Sequence, residues 1–322
     1  MINVSILVPE SSVMQAIADP CYMFNVVNQF LQSKGQPPLF RVQLVGKTLD
    51  IKLNNGLFTV HPDQLLEASG TSDLVFIPAL FGDMSTAIDQ NQAAIPWIRE
   101  QYEQGATVAS LCVGAFLLAS TGLLNGKHCS THWAFGNEFR KMFPEVLLTD
   151  GSIVTKEGRL YSSGGANSYW NLLLYLVEKY TDRDTAIMAS KFFAIEIDRN
   201  NQSAFMMFSG QKKHADHAII RAQEYIEANY RSKIMVDQLA DQLVIGRRTF
   251  ERRFKQATNN TVVEYQQRVR IEAAKRSFES SRNNISEVML NVGYTDSKAF
   301  RDIFKKITGL TPLEYKNKYC KT

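Results

Sequence analysis

The sequence predicts two folded parts, an α/β domain built on a parallel sheet and, behind it, an all-α domain. The length of 322 residues exceeds what one ordinary core fills and suggests about two domains. Short β-rich runs alternate with helical stretches in the front two thirds, and a repeat occupies the rear third. Apolar residues make up 45% of the chain and charged residues 21%, which is typical of a globular protein.

The front part contains four runs with the composition of buried strands, at residues 3–8, 41–45, 74–78 and 106–111. Helical patterns and Gly/Pro turns separate them, and this alternation favours a flavodoxin-like fold in which helices flank a parallel sheet. In such folds ligands bind at the carboxyl ends of the strands. Glu10, Phe81 and Cys112 follow three of these ends and are therefore candidate ligand-binding residues.

Residues 107–124 carry no charge and approach the length of a membrane span. Gly114 and Gly122 interrupt them, so a buried strand followed by a buried helix is the favoured interpretation. The first eight residues resemble a strand and lack the features of a signal peptide. The four cysteines include no C-x-x-C pair, which indicates neither a zinc site nor a disulfide framework. We expect a cytoplasmic protein with reduced thiols, no membrane contact, no metal and no cofactor.

The rear third is a duplication with an offset of fifty residues. The offset aligns Phe250 with Phe300, Phe254 with Phe304, Lys255 with Lys305, Thr258 with Thr308, Thr261 with Thr311, Glu264 with Glu314 and Tyr265 with Tyr315. Each copy has the pattern of a helix, a tight turn and a second helix. The predicted helix pairs cover 236–243 with 247–258 and 286–291 with 296–308. The domain is thus expected to contain two helix-turn-helix units.

Both copies end in the same helix start signal, a capping box. The boxes are Thr261 with Glu264 and Thr311 with Glu314, the second with proline at the first helical position. A helix from the first box to about Phe278 is predicted to join the two units. In the second copy, Thr295 or Asp296 is the predicted cap of the second helix.

The second helix of each copy has a face suited to DNA. At about 100° per residue, the two phenylalanines of the first copy face the core, and Arg248, Arg252 and Lys255 stack on the opposite side. In the major groove arginine can bond guanine edges bidentately, and lysine can meet phosphate. The predicted DNA-binding residues are Arg247, Arg248, Arg252, Arg253, Lys255, Ser297, Lys298, Arg301, Asp302, Lys305 and Lys306. Because Asp302 replaces Arg252, we expect the first unit to supply more affinity and the second more discrimination.

Net charge differs between the two parts. Residues 1–213 contain 16 lysines and arginines against 19 aspartates and glutamates, whereas residues 214–322 contain 20 against 13. The formal charges are therefore −3 and +7, and a basic rear part is what neutralisation of DNA phosphates requires. A basic helix alone is more often a solvated surface, but the duplicated unit favours double-stranded DNA as the partner.

A longer pattern runs through both copies. It reads L-A…F-x-x-x-F-K…T…E-Y and then V-G-Y-x-D-x-x-x-F-x-x-x-F-K-K-x-T-G-x-T-P-x-E-Y. Over about residues 214–322 this pattern resembles the AraC/XylS family of transcription regulators. The resemblance implies a seven-helix domain that reads successive major grooves of an operator, and RNA polymerase is a further candidate partner.

Cys112 stands between a predicted strand and an apolar helix, in the run A-S-L-C-V-G-A-F-L-L-A at 109–119. This run resembles a nucleophile elbow, and a helix start beside the thiol is expected to lower its pKa. With T-G-L-L-N-G at 121–126 and T-H-W at 131–133, the stretch is similar to the PfpI and class I glutamine amidotransferase-like superfamily. That resemblance covers roughly residues 3–195 and implies that His132 and Trp133 lie near Cys112.

Three roles for Cys112 stay open, namely a catalytic nucleophile, a ligand-lining or redox residue, and an inherited structural residue. Hydrolytic members of the superfamily carry histidine at the position of Val113, so we expect no enzyme. His132 alone is more often a core histidine than a ligand, and Trp133 suits a core or a pocket wall equally. The candidate ligand-binding set is Glu10, Phe81, Cys112, His132 and Trp133.

The predicted domains are residues 1–195, which would bind a small effector and form a homodimer, a linker over 196–213, and a DNA-binding domain over 214–322. The predicted function is a sequence-specific transcription regulator controlled by a small metabolite. The alternative is a cysteine-dependent amidase or protease-like enzyme fused to a DNA-binding module.

Overall fold

The computed structural model describes residues 1–197, 199, 201–212, 214–281 and 283–320. The chain divides into two compact units, Met1–Gln202 and Ser203–Thr322, which we call the front unit and the rear unit. The predicted linker at 196–213 is thus shared between them. No helix within the described ranges combines the length and the apolar character that crossing a membrane requires.

The front unit alternates strands and helices. Its strands are β1 Ile2–Val8, β2 Phe40–Gly46, β3 Ile51–Leu53, β4 Phe58–Val60, β5 Gln64–Leu65, β6 Leu74–Ile77, β7 Thr107–Ser110, β8 His128–Cys129, β9 Leu147–Leu148, β10 Val154–Glu157 and β11 Leu160–Ser163. Its helices are α1 Met14–Ser33, α2 Met84–Gln90, α3 Ala94–Glu103, α4 Ala115–Ser120, α5 Gly136–Met142, α6 Tyr169–Tyr180 and α7 Arg183–Phe192. The four predicted strands correspond to β1, β2, β6 and β7.

The main sheet has the order β10-β11-β7-β6-β1-β2-β5. Its pairs are parallel except β10 with β11, which is antiparallel, so the predicted parallel sheet is confirmed with one antiparallel edge strand. β6 and β7 are buried along their whole lengths, which explains why neither alternates apolar with charged residues and why β6 is a continuous apolar run. The order reverses at β1, which pairs with β2 on one side and β6 on the other. A crevice for ligands is expected at the carboxyl ends there.

The rear unit is helical. Its helices are α8 His217–Ala228, α9 Val236–Gln242, α10 Arg247–Thr258, α11 Val262–Ser280, α12 Ile285–Asn291, α13 Ser297–Thr308 and α14 Pro312–Tyr319. The helix pairs α9–α10 and α12–α13 are the predicted helix-turn-helix units. Both predicted capping boxes are present, and a third, Asn284 with Glu287, starts α12 one residue earlier than predicted.

Each helix-turn-helix unit has its own core. Phe250, Phe254 and Tyr265 belong to the first core, and Phe300, Phe304 and Tyr315 take the equivalent places in the second. Helix α11 contributes to both, because its first half packs in one core and its second half in the other. The predicted joining helix is therefore confirmed.

Residues 203–212, which we call the strap, pack on the rear unit although the sequence predicts a linker here. A single 3₁₀ turn at Ser203–Phe205 contacts α13. Phe208 packs against the first core, and Lys212 forms an ion pair of 2.8 Å with Glu227 of α8.

Candidate DNA-binding surface and front-unit sites

Helix α10 presents its predicted cationic face outward. Phe250 and Phe254 are fully buried, whereas Arg248, Arg252 and Lys255 are exposed. The orientation follows from helical periodicity, which places phenylalanines four residues apart on one side. These three cations are therefore placed where DNA can reach them, and their contact with DNA stays a prediction.

Helix α13 has the same arrangement with a different outer face. Ser297, Lys298, Arg301, Asp302, Lys305 and Lys306 are all exposed. Asp296 begins the helix by accepting the backbone N–H groups of Lys298 and Ala299, at 2.7 and 3.0 Å. These bonds lower the pKa of Asp296, because they stabilise its charged form.

Two of the predicted DNA-binding arginines, Arg247 and Arg253, form ion pairs within the rear unit. Arg247 reaches Asp237 at 2.9 Å and Glu251 at 3.4 Å, and both pairs are exposed. Arg253 donates two hydrogen bonds to Asp216, at 2.6 and 2.8 Å. Since Asp216 also caps α8, the Arg253 pair holds α10 against α8. Arg253 therefore has a structural role that the sequence pattern does not indicate.

Cys112 occupies a strained turn at the end of β7. Its φ angle is 54°, in the left-handed region that non-glycine residues rarely adopt. Its N–H donates to Ser163 Oγ at 3.2 Å, and its carbonyl accepts from Thr131 Oγ1 at 3.1 Å. Gly114 permits the close packing, because a Cβ there would lie 2.5 Å from the carbonyl oxygens of Ile77 and Pro78. The predicted elbow is therefore present.

The expected low pKa of the Cys112 thiol is wrong. The residue is 6% exposed, and burial raises the pKa to about 12. A 3₁₀ turn at Cys112–Gly114 leads into α4, so a helix start does lie beside the thiol. The free-energy cost of removing a thiolate from water exceeds the stabilisation that this helix start and the N–H of Val113 provide. The thiol is therefore neutral near pH 7.

His132 and Trp133 follow Thr131, whose hydroxyl donates to the Cys112 carbonyl, and their two rings pack against each other. Their ring centroids are 5.4 Å apart, and His132 Nδ1 accepts the N–H of Ala134 at 3.2 Å. Burial lowers the pKa of His132. Within the described part of the chain no hydrogen bond joins this histidine to Cys112.

Glu10 and Phe81 line a different place, an open cleft of about 1210 Å³. The lining residues are Glu10, Ser11, Val13, Met14, Gln15, Thr48, Asp50, Ile51, Lys52, Asn54, Asn55, Gly56, Phe81 and Gln90. Phe81 is 67% exposed, and the backbone of Glu10 is fixed by two hydrogen bonds of 2.8 Å with the Asn91 side chain. Cys112, His132 and Trp133 are outside this lining. The five candidate residues therefore occupy two places.

Sequence reasoning missed the residues that the hairpin of β3 and β4, with Asp50 just before it, adds to the cleft, among them Lys52 and Asn55. These strands are three residues long, too short to give a clear alternation. It also missed the role of Gln202, which is 2% exposed and donates to the carbonyls of Thr131 and Ser152 at 3.0 and 3.1 Å. No local pattern signals that role, because the partners lie far away in the chain.

Comparisons with known proteins match both units. Residues 239–318 match a helix-turn-helix domain model of the AraC type, and residues 30–179 match the DJ-1/PfpI family. The chain contains an AraC-type helix-turn-helix domain and a DJ-1/PfpI domain. Among the residues described, no three His, Cys, Asp or Glu side chains group as metal ligands would.

Similar regulators occur in Pseudomonas aeruginosa. The chain is 25% identical to the HTH-type transcriptional regulator ArgR over 221 residues, which is 68% of this chain and 67% of ArgR. It is 25% identical to the HTH-type transcriptional regulator GbdR over 68% of this chain and 59% of GbdR. The matched part therefore spans about three fifths to two thirds of these relatives, and it supports a DNA-binding regulator.

A solved structure has a similar fold over part of the chain. A putative transcriptional regulator from Vibrio parahaemolyticus superposes with a TM-score of 0.53 at 23% identity, over 59% of this chain and 98% of that one. At this identity the likeness concerns the fold alone. This similarity in fold agrees with the predicted α/β class of the front unit.

Proposed function

We propose that the regulator binds a two-part DNA operator with α10 and α13 and that a small metabolite in the front unit controls this binding. The duplicated helix-turn-helix unit with two exposed, mainly basic faces carries the proposal. In each copy phenylalanines four residues apart bury one side of the helix and leave the other to solvent. Such helices enter major grooves, and a basic surface supplies the phosphate contacts.

Selection of duplexes from a random pool by the purified chain tests this function. We expect a selected duplex to bind at sub-micromolar protein in about 0.15 M salt, with affinity that falls steeply as salt rises. An unrelated duplex of equal length is the control. Binding of both duplexes with equal affinity would contradict sequence-specific regulation.

We propose that the front unit is a sensor and not a hydrolase. The Cys112 thiol is buried with its pKa raised to about 12, and the neighbouring His132 is bonded to the N–H of Ala134. A nucleophilic cysteine needs a thiolate or an adjacent base. Turnover of an amide substrate by the wild type, lost in Cys112→Ser, would restore the enzyme as the better function.

The effector is proposed to bind in the cleft at Glu10 and Phe81. The cleft lies beside the carboxyl end of β1, and its volume of about 1210 Å³ is ample for a metabolite. The three tryptophans of the chain are Trp97, Trp133 and Trp170, all in the front unit, so tryptophan fluorescence reports its melting.

A metabolite that raises this melting temperature in the wild type should lose its effect in Phe81→Ala and keep it in Trp133→Ala. The reverse result would place the ligand at Trp133. A homodimer formed through the front unit and a contact with RNA polymerase complete the proposed function. Size-exclusion chromatography with light scattering at several protein concentrations tests the dimer.

A further inference from the structure

The strap is fastened to the rear unit along its whole length. Near its start, the Phe205 ring lies 5.2 Å from the Lys318 ammonium of α14. Near its end, Lys212 pairs with Glu227 of α8, and Gln211 accepts a hydrogen bond of 2.9 Å from Asn260. The first contact belongs to the second helix-turn-helix unit and the later ones to the first. The strap therefore touches both units.

A buried ion pair on α11 holds the middle of the strap. The Lys275 ammonium is 2.8 Å from Glu272 and donates to the carbonyl of Met206 at 2.5 Å. Glu272 in turn accepts the N–H of Phe208 at 3.1 Å. The side chains of the pair are 5% and 12% exposed. Buried charges persist where each has partners, and here the strap backbone supplies part of that set.

Side-chain packing extends this attachment to the first core. The Phe208 ring meets the Tyr265 ring edge-on, with centroids 5.1 Å apart. Next to it, Gly210 has a φ of 75°, and a Cβ there would lie 2.9 Å from Glu227 Oε1 and 3.0 Å from Tyr265 Oη. The strap therefore needs glycine at this point to approach α8 and α11 closely.

We propose that the strap fixes α10 and α13 relative to each other, so that both bind one operator at once, and that Lys275 is the positioning residue. This inference rests on the proposed DNA-binding function. Helix α11 is one connection between the two cores, and the strap is a second one along it. With two connections the units resist twisting about α11. Once one unit has bound its half of the operator, the second unit is already oriented toward the other half. Less conformational entropy is then lost when the second unit binds, and linked binding sites gain affinity in this way.

Two substitutions on α11 distinguish the loss of the strap attachment from the loss of one positive charge. Lys275→Met removes the ammonium and keeps the length of the side chain. Arg276→Met changes the net charge equally, but Arg276 is 72% exposed and lies 4.0 Å from Glu272. Both variants are made in the full chain and titrated with a selected duplex and with a copy in which the half bound by α13 is scrambled.

We expect Lys275→Met to weaken binding to the intact duplex about tenfold and to the scrambled duplex less than twofold. Arg276→Met should affect both duplexes by the same small factor. Amide exchange at Phe208 should accelerate in Lys275→Met only. If Lys275→Met does not fold, Phe208→Ala serves as a second variant, because it leaves no buried charge unpaired. It should likewise weaken binding to the intact duplex much more than binding to the scrambled duplex.

Unchanged binding to the intact duplex with fast exchange at Phe208 would overturn the inference, and so would an equal loss on both duplexes. If the wild type selects no duplex, the proposed function fails and this inference fails with it. If the wild type binds a selected duplex and Lys275→Met loses equal affinity for the intact and the scrambled duplex, the positioning role of the strap is rejected and the proposed function stands.

Discussion

Val244 and Gly293 each lie two residues after the first helix of their helix-turn-helix unit, and both have a left-handed backbone, with φ angles of 55° and 86°. Glycine adopts this region without strain, whereas a β-branched residue does not. Val244 is 93% exposed, so packing of its side chain offsets little of the backbone strain. A Cβ at Gly293 would instead lie 2.2 Å from the carbonyl oxygen of Arg231.

Replacing Val244 with glycine should therefore stabilise the rear unit. We expect the free energy of unfolding to rise by about 0.5–1 kcal/mol, because relief of backbone strain exceeds the entropy that glycine adds to the unfolded chain. Denaturant unfolding followed by helical circular dichroism measures the change. Gly293→Val is the matched control and should destabilise. A less stable Val244→Gly variant would show that the valine side chain makes a favourable contact.

Alanine substitutions at Arg253 and at its neighbour Arg252 should separate an effect on stability from an effect on DNA binding. Arg253→Ala is expected to destabilise the rear unit, because it removes both hydrogen bonds to Asp216. Arg252 is exposed, so Arg252→Ala should leave the melting temperature nearly unchanged and weaken DNA binding. Thermal melting and gel-shift titration of the two variants check this. Equal melting temperatures would show that the Asp216 pair contributes little.

Asp216 should make the rear unit sensitive to acid. The bonds from Arg253 lower its pKa below the ordinary value of 3.8. A lowered pKa means that the charged form is preferred in the folded state, so the stabilisation is complete above pH 3.8 and is lost as the pH falls through the folded-state pKa. The stability difference between the wild type and Asp216→Asn should thus be constant near neutral pH and shrink below pH 3.8. A difference that grows on acidification would contradict this sign.

The two reading helices should respond differently to substitution. Arg252→Ala is expected to weaken binding to all duplexes and to reduce the salt dependence by the contribution of about one phosphate contact. Asp302→Ala should change the preference at one base pair by about 1–3 kcal/mol, since a carboxylate can accept from a cytosine amino group. Competition titrations with single-base variants of the selected duplex measure both effects. The exposed front-unit residue Lys191, changed to alanine, is the control.

If Arg252→Ala alters base preference and Asp302→Ala alters only the salt dependence, the assignment of affinity to the first unit and discrimination to the second is reversed. Equal effects of the two variants on both measurements would remove the distinction altogether.

Cys112 should react slowly with an alkylating reagent. A pKa of about 12 leaves a far smaller thiolate fraction at neutral pH than an ordinary cysteine has, and the side chain is almost inaccessible. Peptide mapping after timed exposure of the native chain to iodoacetamide measures the rate. Half-buried Cys320 is the internal comparison and should react first. Preferential modification of Cys112 would indicate that the elbow opens in solution.

Local signals predicted the helices of the rear unit well. The capping boxes at Thr261 and Thr311 and the phenylalanine spacing act within one or two turns, so they can be read from neighbouring residues. The Arg253–Asp216 pair joins residues 37 positions apart, and no local pattern shows it. The shape of the Cys112 turn was likewise predictable from its small neighbours. Its pKa was not, because the burial that sets it comes from the whole front unit.

Thr131 is bonded on two sides. Its hydroxyl donates to the carbonyl of Cys112, and its own carbonyl accepts from the side-chain amide of Gln202, the last residue of the front unit. A single residue therefore separates the Cys112 peptide from the last residue of the front unit. Two hydrogen bonds connect the strained turn to the point where the polypeptide leaves this unit.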